Sequence, residues 1–251
     1  MMNTHFYKVQ TMPTLGLGVV MIVYAENMDW LDNGCEPIVF DNWSVKFTNY
    51  GYNLSSDLDL SSFLAMSAAQ ISLSITNSSF EYNIVLGGAV LNVQMLKQLT
   101  LDNCSFQYNI GGRCASAICI YAFDENINPE DTGLMHISIK NSEFENNGSS
   151  SGAGVMRILF PDPSDLYSIM LKGNTFKHNS SHSREPIVEI LNYNSYITDP
   201  QLNGGSFESG DYEKRSIMIQ NNTFSENGSH GTGVLYIERM PNVNILDDNI
   251  F

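Results

Sequence analysis

Apolar and polar residues alternate over short stretches that recur through the chain. Leu73-Ser74-Ile75-Thr76 precedes NSSFEYN (77–83), Leu99-Thr100-Leu101-Asp102 precedes NCSFQYN (103–109), and Ile137-Ser138-Ile139-Lys140 precedes NSEFENN (141–147). A period of two predicts a strand with one buried face. Phe80, Phe106, Phe144, Phe176 and Phe224 carry Asn83, Asn109, Asn147, Asn179 and Asn227 three residues later. Asn77, Asn103, Asn141 and Asn221 stand three residues earlier, with Gly173 in that place before Phe176. Aliphatic residues recur five and seven positions upstream, as Ile75 and Leu73 do before Phe80. After each turn comes a second apolar stretch that opens on small residues: GGAVLNV (87–93), SAICIYA (116–122), GAGVMRILF (152–160), PIVEIL (186–191) and GTGVLYI (231–237). Each unit therefore reads strand, Asn-rich turn, loop, strand, with no helical periodicity between the aromatics.

An earlier copy is read at SVKFTNYGY, with Val45, Phe47, Asn49 and Tyr52 in the same slots, and a weaker one ends the chain with Leu246, Asp248 and Phe251. The anchors Tyr52, Phe80, Phe106, Phe144, Phe176, Phe224 and Phe251 are 28, 26, 38, 32, 48 and 27 residues apart. Insertions at 124–133, 161–165 and 192–215 account for the long intervals. A unit of this length cannot bury its own apolar face, so units must stack. The expected fold is all-β: a right-handed, single-stranded parallel β-helix of 26–28 residues per coil, forming one domain over 1–251. Coils stacked about 4.8 Å apart would set each Phe on the next. The flanking Asn would occupy corners that require left-handed dihedrals and hydrogen-bond along the stack as a ladder. An antiparallel sandwich gives no reason for one register across five copies, and the spacing of a leucine-rich repeat is absent.

Residues 1–25 permit two readings, a cleavable leader ending at Ala25 or an irregular first coil within 1–37. GLGVVMI (16–22) has the form of GTGVLYI and GAGVMRI, which favours the coil. With no polar terminal unit at either end, the chain is expected to be a segment of a longer protein, or its open ends to meet further coils or other subunits.

Composition narrows the partners. A formal charge of −15 argues against nucleic acid and against an anionic membrane surface. The apolar run near the N-terminus is too short for a membrane span. Four cysteines form no CxxC and no metal spacing; they permit one or two disulfides in an oxidising compartment, or serve as small buried thiols. The acidic pairs Asp57/Asp59, Asp162/Asp165 and Asp247/Asp248 fall in different coils, and the arginines are scattered. His178 and His182 have i, i+4 spacing on a turn segment rather than a helix, and the acidic insertion at 124–133 has no calcium-loop signature. No catalytic, cofactor or metal site is expected. Of eight Asn-x-Ser/Thr sequons, six fall on the flanking asparagines; Asn42 and Asn53, outside those slots, are the better acceptors for a glycan.

Phe80 to Asn83 followed by Gly87, Gly88, Ala89 and Val90 resembles the passenger repeats of chlamydial polymorphic outer-membrane proteins. The pattern is also similar to the parallel β-helix repeats, of the pectin-lyase-like fold, in large extracellular proteins of protists and bacteria. The resemblance covers about residues 38–251, and only the copy at 80–90 has both halves intact. It implies an extracellular or cell-surface setting and a structural or adhesive role, in which the loops at 124–133 and 192–215 contact a protein or glycan. The same fold also hosts polysaccharide lyases and glycoside hydrolases, which makes a carbohydrate-active enzyme or sugar-binding module the alternative, with Tyr121, Tyr193 and Tyr196 as surface aromatics for sugars.

Overall fold

The computed structural model describes residues 5–7, 19–24, 38–41, 44–46, 49–50, 62–67, 72–85, 88–94, 98–121, 135–160, 167–192, 216–238, 240, 242–246 and 248–251. Among them every regular element is a strand, and every pairing is parallel. The strands form four ladders in which each strand bonds to the one four elements further on, except that the first, His5–Tyr7, bonds to Ser44–Lys46, three elements on.

The first ladder runs through Ile38–Asp41, Ser72–Thr76, Gln98–Asp102, Met135–Lys140, Tyr167–Lys172, Ser216–Gln220 and Val243–Ile245. The second holds the phenylalanines, in His5–Tyr7, Ser44–Lys46, Ser79–Glu81, Ser105–Gln107, Glu143–Glu145, Thr175–Lys177 and Thr223–Ser225. The third is built from two-residue strands such as Ile110–Gly111 and Gly148–Ser149. The fourth collects the stretches that follow the small residues, among them Leu91–Gln94, Ile118–Tyr121, Met156–Phe160, Val188–Asn192 and Leu235–Glu238. A repeat thus has four strands, one more than the three of about five residues expected for a coil of 26–28 residues.

Two residues per repeat explain the inward pattern. Asn77, Asn103, Asn141, Gly173 and Asn221 have positive φ, and so do Tyr82, Tyr108, Asn146, His178 and Glu226 two residues after each Phe. A strand alternates faces, but one left-handed residue bends the chain and resets the count. The inward positions of one repeat are accordingly Ile137 and Ile139, then Ser142 and Phe144, then Asn147 and Ser149, all buried. Within each pair the spacing is two; across each bend it is three. One apolar cluster joins residues of all four ladders, for example Leu101, Phe106, Val85 and Ile118.

The phenylalanines form a column. Ring centroids lie 4.7 Å apart for Phe80–Phe106, 5.2 Å for Phe106–Phe144, 4.8 Å for Phe144–Phe176, 4.6 Å for Phe176–Phe224 and 5.2 Å for Phe224–Phe251, all nearly parallel. Each buried ring removes apolar surface worth about 2–3 kcal/mol from water, and stacking adds about 0.5–1.5 kcal/mol per pair.

Register corrects the two outermost copies. Val45, not Tyr52, pairs with Phe80, and Ile38 and Phe40 pair with Leu73 and Ile75. The copy read at SVKFTNYGY is therefore displaced by seven residues, and a valine stands in register with Phe80. Phe6 pairs in turn with Val45, and Val19–Tyr24 pairs with Ser62–Ser67. At the other end Ile245, rather than Leu246, pairs with Ile219, because one extra residue precedes the bend at Asp248.

Candidate functional site

The asparagines that flank each Phe have different tasks. Those following it form one continuous ladder, with Asn83, Asn109, Asn147 and Asn179 buried and Asn227 half-buried. Asn109 Oδ1 accepts from the backbone N–H (3.1 Å) and Nδ2 (2.8 Å) of Asn83. Asn147 Oδ1 receives the same pair from Asn109 at 3.1 and 2.9 Å, Asn179 Oδ1 from Asn147 at 3.0 and 3.1 Å, and Asn227 Oδ1 from Asn179 at 2.9 and 3.0 Å. The second Nδ2 proton goes to a Phe carbonyl, that of Phe80, Phe106, Phe144 or Phe176. Each amide inside the column is fully satisfied.

The asparagines preceding each Phe are the left-handed residues, and their side chains are exposed. Asn77 Nδ2 donates to Asp41 Oδ1 (2.8 Å), Asn103 Nδ2 to Asn77 Oδ1 (2.7 Å) and Asn141 Nδ2 to Asp102 Oδ1 (2.9 Å). For Asn221 no side-chain hydrogen bond is present among the described residues.

A second internal column escaped the sequence reading. It consists of Ser78, Cys104, Ser142, Asn174, Asn222 and Asn249, two residues before each aromatic. Asn174 Nδ2 donates to Asn222 Oδ1 (3.0 Å), Asn222 Nδ2 to Asn249 Oδ1 (3.1 Å), and Ser142 Oγ accepts from Cys104 N–H (3.1 Å). The signal was a Ser, Cys or Asn in that slot of every copy: counted back from the Phe it faces inward, although counted forward from the upstream aliphatics it faces out. Burial pushes the Cys104 thiol up to about 11, so it is a packing group rather than a nucleophile.

Charge chemistry is concentrated on the outer side of the fourth ladder, where Asn92, Cys119, Arg157, Glu189 and Tyr236 fall in one register column. Turns rich in small residues cover it: Ala89, Ala115 and Ala153 pack with Cys114 and Cys119, which form a disulfide. Gly152 allows this, since a Cβ there would lie 2.2 Å from the Cys114 carbonyl oxygen. Arg157 Nε contacts Glu189 Oε2, and its Nη2 lies 3.2 Å from Glu185 Oε2. Glu189 is buried, and burial raises its carboxyl to about 7 against the attraction of Arg157, with Glu185 pushing the same way. Asn92 Oδ1 in the same column is buried without a partner. The spacings of Arg157, Glu185 and Glu189 in sequence gave no sign of this cluster, because it arises from stacking and from a turn folding over the sheet.

Other candidates are dispersed. His178 reaches Glu226 and lies 3.8 Å from Glu145, on the surface; His182 faces His230, with ring centroids 6.4 Å apart. Among the described residues no group of three or more metal-ligating side chains occurs, and no helix is long and apolar enough to cross a membrane. Asn42, Asn53, Asp57, Asp59, Asp162, Asp165, Asp247, Tyr193, Tyr196 and the insertions at 124–133, 161–165 and 193–215 lie outside the described residues. No family model, curated protein or solved structure matches this chain.

Proposed function

We propose that the chain is a right-handed, single-stranded parallel β-helix acting outside the cell or at its surface, as a non-catalytic scaffold that presents loops to a protein or glycan. The observation that carries this reading is the in-register repetition of the Phe and Asn columns. Inward positions repeat their chemistry from one repeat to the next, whereas outward positions do not: Glu81, Gln107, Glu145, Lys177 and Ser225 share one outward column. Such a division suits a rigid rod whose surface varies along its length. The Cys114–Cys119 disulfide supports an oxidising compartment. Right-handed winding follows from the general preference of parallel crossovers. The experiment is binding of the purified chain to host-cell or matrix glycans and proteins, alongside incubation with a panel of uronate-containing and neutral polysaccharides. Saturable binding without release of unsaturated or reducing ends is the expected result; release of either overturns the reading.

A second reading, a carbohydrate-active enzyme, is favoured by one observation, the two carboxyls of Glu185 and Glu189 on Arg157 with Glu189 titrating near neutrality. If it holds, Glu189→Gln abolishes polymer cleavage while leaving polymer binding intact.

A further inference from the structure

We infer that Asn221 is an acceptor of an N-linked glycan, and that Asn147 and Asn179 are sequons the folded chain cannot glycosylate. This rests on the extracellular reading above. Six sequons have described side chains, at Asn77, Asn103, Asn147, Asn179, Asn221 and Asn227. Glycosylation replaces one Nδ2 proton with the anomeric carbon of a sugar. The C–N bond forms as the C–O bond to a lipid-linked pyrophosphate donor breaks, and the amide proton leaves with the pyrophosphate. A substituted Nδ2 retains one proton and needs open space on the other side.

Asn147 and Asn179 fail on both counts. Both are buried, and each uses its two Nδ2 protons inside the column. Asn227 also gives Nδ2 to the Phe176 carbonyl (2.8 Å). Asn77 and Asn103 are exposed, but each already commits one Nδ2 proton, Asn77 to Asp41 and Asn103 to Asn77, so a glycan on either must be carried on the remaining proton beside a bonded neighbour.

Asn221 differs from all five. It is exposed at φ 56°, and its side chain has no hydrogen-bond partner among the described residues. Lys172 pairs with Gln220 and Gly173 N–H bonds to the Gln220 carbonyl, so the neighbour of Asn221 in its column is a glycine with no side chain. On the other side stands Asp248, exposed and itself left-handed. The hydroxyl of the sequon is that of Thr223, partly exposed on the adjoining strand.

The transferase meets the chain before it folds, so all eight sequons are offered to it. Folding then selects: a glycan on Asn147 or Asn179 breaks the ladder, whereas one on Asn221 extends into solvent. The test is expression of the full chain behind a cleavable secretion signal in eukaryotic cells, with site occupancy read by mass spectrometry after enzymatic deglycosylation in heavy-oxygen water. Occupancy is read in both secreted and retained material. Expected is glycan on Asn221 in the secreted protein, a mobility shift lost in Asn221→Gln, and bare Asn147 and Asn179. An unmodified Asn221 in both fractions overturns the inference, as does secreted, compact protein glycosylated at Asn147 or Asn179. Complete retention with Cys114 and Cys119 reduced counts instead against the extracellular reading, and the occupancy of Asn221 in that material still decides the acceptor.

Discussion

Asn141 and Asn147 stand on either side of Phe144, yet substitution should treat them oppositely. Asn141 holds φ at 49° with an exposed side chain, a conformation that costs an L-residue without a compensating amide about 1 kcal/mol. Asn141→Gly should therefore leave stability within about 0.5 kcal/mol, and Asn141→Ala should lower it by about 1 kcal/mol. Asn147→Ala leaves donors on Asn109 and the Phe106 carbonyl unpaired in the interior, at about 1–3 kcal/mol each, so a loss of about 3 kcal/mol or more is expected. Denaturant unfolding of the three variants separates the two roles. Phe144→Ala should cost about 3–5 kcal/mol, whereas Phe251→Ala, at a ring 63% exposed, should cost a small fraction of that. Glu189 sets a pH dependence. Its carboxyl is raised to about 7 in the folded chain from an ordinary 4.5, so between those values the folded state holds a proton the unfolded state has released. Its contribution is complete below about 4.5 and is lost as pH rises through about 7. The unfolding midpoint should fall across that window, and Glu189→Gln should flatten the fall.

At the level of the element, the columns were readable because repeats multiply the signal. The first-ladder strands announced themselves by alternation, and the Phe slot by an aromatic between two asparagines. Alternation alone does not show the change of face at each left-handed residue, so the buried slot of Ser142 and Asn174 has no place in the pattern read from the upstream strand. Val45 reads as the first aliphatic of a strand because a valine opposite Phe80 carries no aromatic mark, while the decoy Tyr52 offers one. The Arg157–Glu189 cluster was illegible for another reason: its members meet across stacked repeats and under a turn, and neither relation leaves a spacing in the sequence. That turn gives an element-scale prediction. Gly152→Ala would set a methyl against the Cys114 backbone carbonyl of the preceding repeat, and backbone cannot swing aside as a side chain does. A loss of about 1–3 kcal/mol is expected. In hydrogen exchange, the faster opening should be confined to the turns around Cys114 and Gly152 and spare the Phe column.

Across the whole molecule, the proposed reading gives stability to the columns and recognition to the loops, and the two should therefore be separable. Stacked repeats derive stability from their neighbours, and the columns run without a gap through the described repeats from Phe80 to Phe251. In sequence, 124–133 falls between Ile118–Tyr121 and Met135–Lys140, and 192–215 begins on Val188–Asn192 and ends just before Ser216–Gln220. The strands on either side of each are in the same registers as those of repeats with short connections. Loop-closure entropy varies slowly with length, at about 0.6 kcal/mol per doubling. Replacing 193–215 by a short Gly-Ser linker should thus leave the unfolding midpoint nearly unchanged, whereas binding to the surface partner should disappear if that loop carries the contact. The same replacement at 124–133 identifies which loop is used. A large loss of stability on either replacement would mean that the insertion packs as part of the scaffold, and the division between rod and loop would then fail. Loss of binding from Asn147→Ala under conditions where it remains folded would be equally damaging, because a buried amide in the column touches no partner directly.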